Sequence, residues 1–405
     1  MALLLLAGQW LLASGLPPWL PPAPKPGPSA SPEAQAFLKA LAAADSTPEQ
    51  RQEAWAALTQ DGKKPPRAVV KAVDGARARA WRRLDGLIRS AAVRKAGSGL
   101  RKAIVPHQAA ARDAINGGGF SKEKLDQAMA PIEQALEDAL TPFRESEHYE
   151  PLRSRIGELE GYAVGCGLRH EWSGELLDVL CTLRFVVRYA GRPSWLETVD
   201  SNHRIGSWIE AGEHACIARL NWHRILLGIH PVHIDLRLVA AAKKHSEEMV
   251  AKNYFSHTSP TPHLAGFGQR AGREHTGAGG ECIAGGGRSG VGVFRMWYYS
   301  QGHHKIMIFG VAAIGVGHCN GKWTLMMGGS RMAGSTAGKM ARYVRMRYQA
   351  GEDVEKLFAL ARWCADNRLL AQAQDELERI LAIDPGHEQA RKALGRMRGQ
   401  PAPKR

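Results

Sequence analysis

The sequence predicts an α+β protein in which a central segment of mixed helices and strands is flanked by helical regions. From about residue 31 to 190, apolar side chains recur at helical spacing, as around Trp81. The segment "AAIGVGHCNGKWTLMMG" instead indicates two strands joined by a type I′ turn at Asn320-Gly321. Helical periodicity returns in residues 343–400. A chain of 405 residues exceeds one ordinary core, so two or three domains are expected.

The N-terminus has the composition of a secretory signal. An apolar run from Ala2 to Leu12 precedes small residues, which predicts a signal peptide over residues 1–16 and an extracytoplasmic or secreted protein. No Lys or Arg occurs before Lys25, so the charged start of such a signal is missing, and a cytoplasmic location is the alternative. The Pro-rich residues 17–30 are expected to form a stiff linker.

Residues 31–198 are predicted to form a helical region whose role the sequence leaves open. In residues 63–102, thirteen Lys or Arg stand against two Asp, and an acidic segment follows later. One interpretation is that basic and acidic helices pack side by side; the other is a basic patch that binds an anionic polymer or envelope. No aromatic interleaving or motif supports sequence-specific recognition of nucleic acid. Pro131 is expected to end the helix that contains Leu125 and Met129.

The central segment contains polar residues whose local surroundings can be interpreted individually. Asp235 is predicted to cap the N-terminus of a helix. His245 lies on the apolar face of that helix and is expected to be a hydrogen-bonded core histidine. His257 follows in a loop. Glu281 and Cys282 lie among glycines, which indicates a tightly turned segment around a short strand.

Seven short motifs follow one another through this part of the chain. In order they are Asn221-x-x-Arg224, Asp235 with Leu238 and Ala241, the loop His257, Gly280-Glu281, Trp297-x-x-Ser300-x-Gly302-His303, Gly315-Val316-Gly317 and Trp323. Their order and spacing resemble the CAP superfamily of cysteine-rich secretory proteins, antigen 5 and plant pathogenesis-related proteins, and its bacterial secreted branch in particular. The resemblance implies that residues 199–333 form an α-β-α sandwich around a central, mostly antiparallel sheet.

The resemblance also implies a cleft that gathers two histidines with acidic residues and can hold a divalent metal. His257 and His303 match the two histidines, and Glu281 matches the first acidic position. Ser300 stands at the second acidic position. His257 and His303 are therefore the candidate ligands of Zn²⁺ or another divalent metal, since neutral imidazoles bind such ions well. The adjacent His304 is expected to be exposed.

Three functions are compatible with this cleft. The first is an extracytoplasmic binding protein for a lipid, peptide or cell-envelope ligand. The second is a metal-dependent hydrolase, in which Glu281 is the catalytic base on a water held by His257 and His303. Cys282 stands where the family usually has asparagine, which weakens the case for catalysis, and it is expected to be a small buried thiol. The third is a scaffold that binds an anionic polymer through residues 63–102.

The C-terminal segment resembles a tetratricopeptide repeat. The small and large positions of such a repeat are occupied by Leu357, Leu360, Ala361, Ala373, Leu377, Ile380 and Pro385. A single helical hairpin of this kind cannot bury its apolar face alone. Residues 343–400 are therefore expected to pack on the CAP-like domain, on the N-terminal helices or on a protein partner.

Overall fold

The computed structural model describes most of the chain after the Pro-rich segment. The predicted signal peptide, residues 1–16, and the linker, residues 17–30, lie outside the described residues. Within the described part, no helix is long and apolar enough to cross a membrane. The described residues are 31–169, 172, 174–329 and 335–398.

The chain divides into two compact units. The first is Met1–Arg82 with Glu158–Leu168, and the second is Arg83–Gly157 with Arg169–Arg405. The N-terminal region is helical, as predicted. Its α-helices are α1 Pro32–Ala42, α2 Pro48–Thr59, α3 Arg67–Ile88, α4 Ala91–Gly97, α5 Leu100–Asn116, α6 Lys122–Arg144, α7 Tyr149–Gly165, α8 Gly174–Tyr189 and α9 Trp195–Ile205.

The predicted helix break at Pro131 is wrong, because α6 continues through this residue to Arg144. A proline inside a helix removes one backbone hydrogen bond and costs about 3 kcal/mol. Beyond Pro131, however, Ile132 and Leu136 continue the buried stripe of the helix. Burying each such side chain stabilises by roughly 1.5–3 kcal/mol. Packing of the second half of α6 therefore outweighs the lost hydrogen bond.

Within the first unit, basic side chains pair with the acidic residues of α7. Arg51 contacts Glu158 at 2.7 Å, and Arg77 contacts Glu160 at 3.2 Å. Glu160 also accepts a hydrogen bond from the indole of Trp81 at 3.0 Å. For Arg77, which belongs to the basic segment 63–102, the structure therefore agrees with the interpretation that basic and acidic helices pack together.

The central segment forms a four-stranded sheet between helices. Its helices are α10 Ala211–Leu226, α11 Leu236–Ala251, α12 Phe267–Arg273, α13 Gly290–Tyr298 and α14 Gln301–Met307, and its strands are β1 His233–Ile234, β2 Ala278–Gly285, β3 Ala313–Cys319 and β4 Lys322–Gly328. The strand order is β1-β3-β4-β2, with β1 parallel to β3 and the other pairs antiparallel.

The two faces of the sheet are covered by different helices. Thr324 accepts a hydrogen bond from Ser246 of α11 at 3.0 Å. The side chain of the preceding residue, Trp323, lies against Gly212 of α10. A Cβ built on Gly212 would lie 3.1 Å from the indole. Successive side chains of a strand point to opposite faces. The fold is therefore the predicted α+β, α-β-α sandwich with helical flanks.

Two local predictions about this sandwich are confirmed. The β3–β4 turn has positive φ at both Asn320 (41°) and Gly321 (76°), as a type I′ turn requires. Asp235 caps α11, because its side chain accepts a hydrogen bond from the backbone N–H of Arg237 at 2.9 Å.

Glycines let α11 lie directly against β3. A Cβ built on Gly315 would lie 2.2 Å from the carbonyl carbon of Leu238, and one built on Gly317 would lie 2.1 Å from the nitrogen of Lys243. Both obstacles are backbone atoms, which cannot rotate away. Close helix–sheet contact therefore requires glycine at these two positions.

We expect Gly315→Ala to lower the free energy of unfolding by at least about 1–3 kcal/mol, because the added methyl overpacks the helix–sheet contact. Urea unfolding followed by circular dichroism measures the change. Gly268→Ala is the matched control, since a Cβ at this position in α12 meets no atom within 4 Å. Equal stability of the Gly315 variant and the parent would contradict the close packing.

The C-terminal helices pack on the central domain rather than standing apart. They are α15 Ser335–Ala350, α16 Val354–Asp366, α17 Leu370–Ile383 and α18 Glu388–Arg398. Lys244 of α11 contacts Asp375 of α17 at 2.6 Å, and Arg347 of α15 contacts Glu247 of α11 at 2.7 Å. Three packing partners were expected for the hairpin, and the structure shows that it packs on the central domain. Its assignment as a tetratricopeptide repeat stays a prediction.

Candidate functional site

The structure brings His257 and Glu281 into direct contact. His257 lies in the loop after α11, and Glu281 lies on β2. The imidazole Nδ1 is 2.9 Å from Oε1 of the carboxylate. The Glu281 side chain is 1% exposed, whereas that of His257 is 53% exposed. A carboxylate only accepts, so Nδ1 carries a proton, and Nε2 lies on the opposite side of the ring, away from Glu281.

A buried arginine completes this arrangement. Arg270 of α12 donates to Oε2 of Glu281 at 2.6 Å and to the carbonyl oxygen of His257 at 3.0 Å. It also donates to the carbonyl oxygen of Leu264 at 2.8 Å. Its side chain is 3% exposed. Arg270 therefore balances the charge of Glu281 and ties down the loop that carries His257. Nothing in the sequence singles out Arg270, since only the fold brings it to a strand residue further along the chain.

A second carboxylate fastens the start and end of the same loop. Glu248 of α11 accepts hydrogen bonds from Tyr254 at 2.8 Å, from Thr261 and from Lys252 at 2.9 Å. Burial alone would raise the pKa of Glu248, but hydrogen bonds led by that from Lys252 lower it to about 2. The carboxylate is thus ionised at any physiological pH. Nothing in the sequence singles out Glu248, because a glutamate on a helix has no distinctive signal.

His245 is the core histidine that was predicted. It is 1% exposed, and its Nε2 is 3.2 Å from the carbonyl oxygen of Ser256, next to His257. Burial lowers its pKa, and the nearby positive charge of Arg270 lowers it further. The neutral imidazole of His245 therefore contacts the backbone of the His257 loop from the buried side.

His303 lies on α14, three residues after Ser300, which occupies the N-cap position of that helix. His303 is half-buried. Burial lowers the pKa of His303, and proximity to His257 lowers it further. Both effects keep the ring neutral at physiological pH, which is the state that binds a metal or accepts a hydrogen bond.

The prediction that His304 is exposed is wrong. His304 is fully buried, and its Nε2 is 2.8 Å from Nε2 of His223 on α10. The reason is that α14 begins at Gln301, so consecutive residues point about 100° apart around its axis. With His303 near the cleft, His304 turns toward α10. Burial lowers the pKa of His304 to about 4.

Cys282 is the buried thiol that was expected. It is fully buried, and burial raises its pKa well above the ordinary value, with Cys216 and Glu281 nearby raising it further. A nucleophilic cysteine needs a lowered pKa. Cys282 therefore belongs to the core behind the cleft.

The described residues contain no group of three or more His, Cys, Asp or Glu side chains that could hold a metal ion. Both oxygens of Glu281 already accept hydrogen bonds, from His257 and from Arg270. The imidazoles of His257 and His303 are the candidate ligands that remain. A carboxylate that accepts a hydrogen bond from a ligating histidine is common in metal sites. By donor type, an ion at this site would take two imidazoles and be completed by water or ligand atoms, rather than by a third protein ligand.

Comparison with known proteins assigns this part of the chain to a family. Residues 217–325 match the family model CAP, described as "Cysteine-rich secretory protein family". These residues form a CAP domain. The match includes His257, Glu281 and His303, and it confirms the resemblance that the motifs predicted.

Two bacterial proteins are similar to part of this chain. "Uncharacterized protein YkwD" of Bacillus subtilis (strain 168) is 31% identical over 127 residues, which cover 31% of this chain and 49% of the relative. The chain therefore spans about half the length of that curated relative. A crystal structure of an extracellular protein containing an SCP domain from Bacillus anthracis str. Ames is 27% identical, with a TM-score of 0.29, and the match covers 32% of this chain and 43% of that chain.

Proposed function

We propose that the chain is an extracytoplasmic binding protein whose CAP domain presents His257 and His303 to a lipid, peptide or cell-envelope ligand. The observation that carries the proposal is the buried series Arg270–Glu281–His257, which ends in a half-exposed imidazole. The apolar run near the N-terminus supports the location.

In this proposal the buried ion pair of Arg270 and Glu281 orients His257. Removing two charges from water is expensive, and replacing such a pair by apolar residues is often neutral or stabilising. Here the pair fixes the tautomer and the direction of an imidazole at the surface. A group held in one orientation loses less entropy when it binds, which favours affinity and specificity.

The two imidazoles are best suited to bind a divalent metal ion such as Zn²⁺. Nε2 of His257 and the ring of His303 would hold it, with Glu281 behind His257. The ion would polarise an oxygen of a bound ligand. The chain's own contribution is to keep the ring of His303 neutral and to hold His257 in one orientation.

Hydrolysis with Glu281 as the base remains the second candidate, and the geometry favours it less. The Glu281 side chain is 1% exposed and accepts hydrogen bonds at both oxygens. A general base must lie within hydrogen-bond reach of the proton that it removes. Glu281 is better placed to orient His257 than to activate a water.

We expect His257→Ala and His303→Ala each to weaken Zn²⁺ binding by at least about 10-fold, because each removes one of two ligands. Glu281→Gln is expected to weaken it by about 10–100-fold, because it removes the charge that orients His257. Isothermal titration of the full chain with Zn²⁺ measures these changes. His263→Ala is the control, since His263 is an exposed histidine in the same loop.

Unchanged Zn²⁺ affinity in both histidine variants would refute the metal part of the proposal. Loss in the histidine variants without loss in Glu281→Gln would refute the orienting role of Glu281. Zn²⁺-dependent hydrolysis of a peptide or ester by the parent would favour the hydrolase, provided that Glu281→Gln abolishes it without weakening Zn²⁺ binding.

A further inference from the structure

The segment that forms α4 and the first turns of α5 carries an unusual excess of positive charge. No Asp or Glu occurs between Asp85 and Asp113, and no Phe, Trp or Tyr occurs in residues 82–119. The basic residues of this segment that the structure exposes are Arg89, Arg94, Lys95, Arg101 and Lys102. A segment with no acidic side chain of its own attracts anions through its exposed basic residues.

The exposed side of α5 adds apolar groups to this charge. Its core side consists of Leu100, Ile104, Ala111 and Ile115. On the opposite side, Val105, Pro106 and Ala109 are exposed beside Lys102, and Val105 is 50% exposed. Residues three and four apart are neighbours on a helix. Basic and apolar side chains therefore share one face.

Helix α5 is fastened to the CAP domain through its C-terminal half. Gln108 and Arg112 donate to carbonyl oxygens at the C-terminal end of α10, at 2.9 and 2.6 Å. Gln301 donates to the carbonyl oxygen of Gly117, just after α5, at 2.8 Å. Gln301 is two residues before His303. A contact made by the exposed face of α5 would therefore set the orientation of the cleft.

We propose that Arg94 and Lys95 of α4, with Arg101, Lys102 and Val105 of α5, form a docking face for an anionic phospholipid surface. Basic side chains next to such a surface add to its attraction approximately one by one. Exposed apolar side chains among them can enter the boundary between headgroups and acyl chains. A single-stranded nucleic acid would be expected to use aromatic stacking, and this face has no aromatic residue. The proposal does not depend on what the cleft binds.

Flotation of the full chain with vesicles of 30% phosphatidylglycerol and 70% phosphatidylcholine tests the docking. Replacing the four basic residues of this face by glutamate is expected to weaken vesicle binding by at least about 100-fold. Vesicles of phosphatidylcholine alone measure the background binding, which is expected to be the same for the parent and for every variant. The control replaces four exposed basic residues of the C-terminal helices by glutamate: Lys356, Arg391, Lys392 and Arg396.

The control carries the same change in net charge as the first variant. Both variants keep the apolar N-terminal run, so any affinity of that run for lipid contributes equally to their binding. We expect the control to bind anionic vesicles within about threefold of the parent, because its charges lie outside the docking face. Equal loss in both variants would overturn the proposal in favour of net charge alone. Equal binding by the parent and the first variant would also overturn it.

Substitutions of Val105 distinguish a lipid surface from a soluble polyanion. Val105→Ser is expected to weaken binding to anionic vesicles by about 3–10-fold, and Val105→Phe to strengthen it by a similar factor, because apolar area enters the lipid. Both are expected to bind soluble polyphosphate as the parent does. If neither substitution changes binding to vesicles, and the parent and both variants bind polyphosphate equally well, the lipid assignment is overturned. That result would point to an anionic polymer.

Discussion

Arg270→Ala is expected to lower the free energy of unfolding by about 3–5 kcal/mol, because it leaves the carboxylate of Glu281 buried without its partner. It also removes the hydrogen bonds that hold the loop at His257 and Leu264. Urea unfolding of the full chain, followed by circular dichroism, measures the change. Arg295→Ala, an exposed arginine on α13, is the control and is expected to stay within about 0.5 kcal/mol of the parent.

A double substitution tests whether the loss comes from the unpaired charge. Arg270→Met with Glu281→Gln removes both charges and keeps similar volumes. It is expected to recover part of the stability lost in Arg270→Ala, since an apolar or neutral replacement of a buried pair is often tolerated. A double variant that is less stable than Arg270→Ala would show that the hydrogen bonds of Arg270, rather than charge balance, dominate.

Stability is expected to fall as the pH falls from about 7 to 4, because buried histidines must gain protons on unfolding. Burial lowers the pKa of His304 to about 4 and that of His223 well below its ordinary value, and His304 lowers the pKa of His223 further. Burial also lowers the pKa of His214 to about 3. An unfolded histidine has a pKa of about 6.5.

The direction follows from proton binding. Between these folded and unfolded pKa values, the unfolded chain binds more protons than the folded chain, so the free energy of unfolding rises with pH. The stabilisation is complete above about pH 6.5 and is lost as the pH falls toward the folded values. For His304 alone, a shift from about 6.5 to about 4 corresponds to roughly 2 kcal/mol between pH 7 and 4.5.

His304→Gln is expected to reduce the loss of stability between pH 7 and 4.5 by about 2 kcal/mol, because it removes one of the coupled groups. Urea unfolding at several pH values measures the slope. His148→Gln is the control, since the His148 side chain is 62% exposed. An unchanged slope in His304→Gln would mean that His304 does not stay neutral in the folded protein.

The motifs of the central segment predicted the CAP domain. Asp235 caps α11 and Asn320-Gly321 forms the turn, since both depend on bonds within a few residues. His257 and Glu281 meet as the family resemblance implied. The charge partner of Glu281 could not be predicted in the same way. Arg270 precedes it by eleven residues on a different element, and no periodicity relates the two.

The pair of adjacent histidines shows most clearly what each level of structure decides. The sequence alone determined that both lie next to a glycine in a helical segment, and the family resemblance indicated His303 for the cleft. The tertiary structure decided that His304 is buried against His223, because the start of α14 sets which way each residue points. Helix periodicity and capping act over three or four residues and can be derived from the sequence. Burial and charge pairing depend on which elements pack together, and only the folded chain determines them.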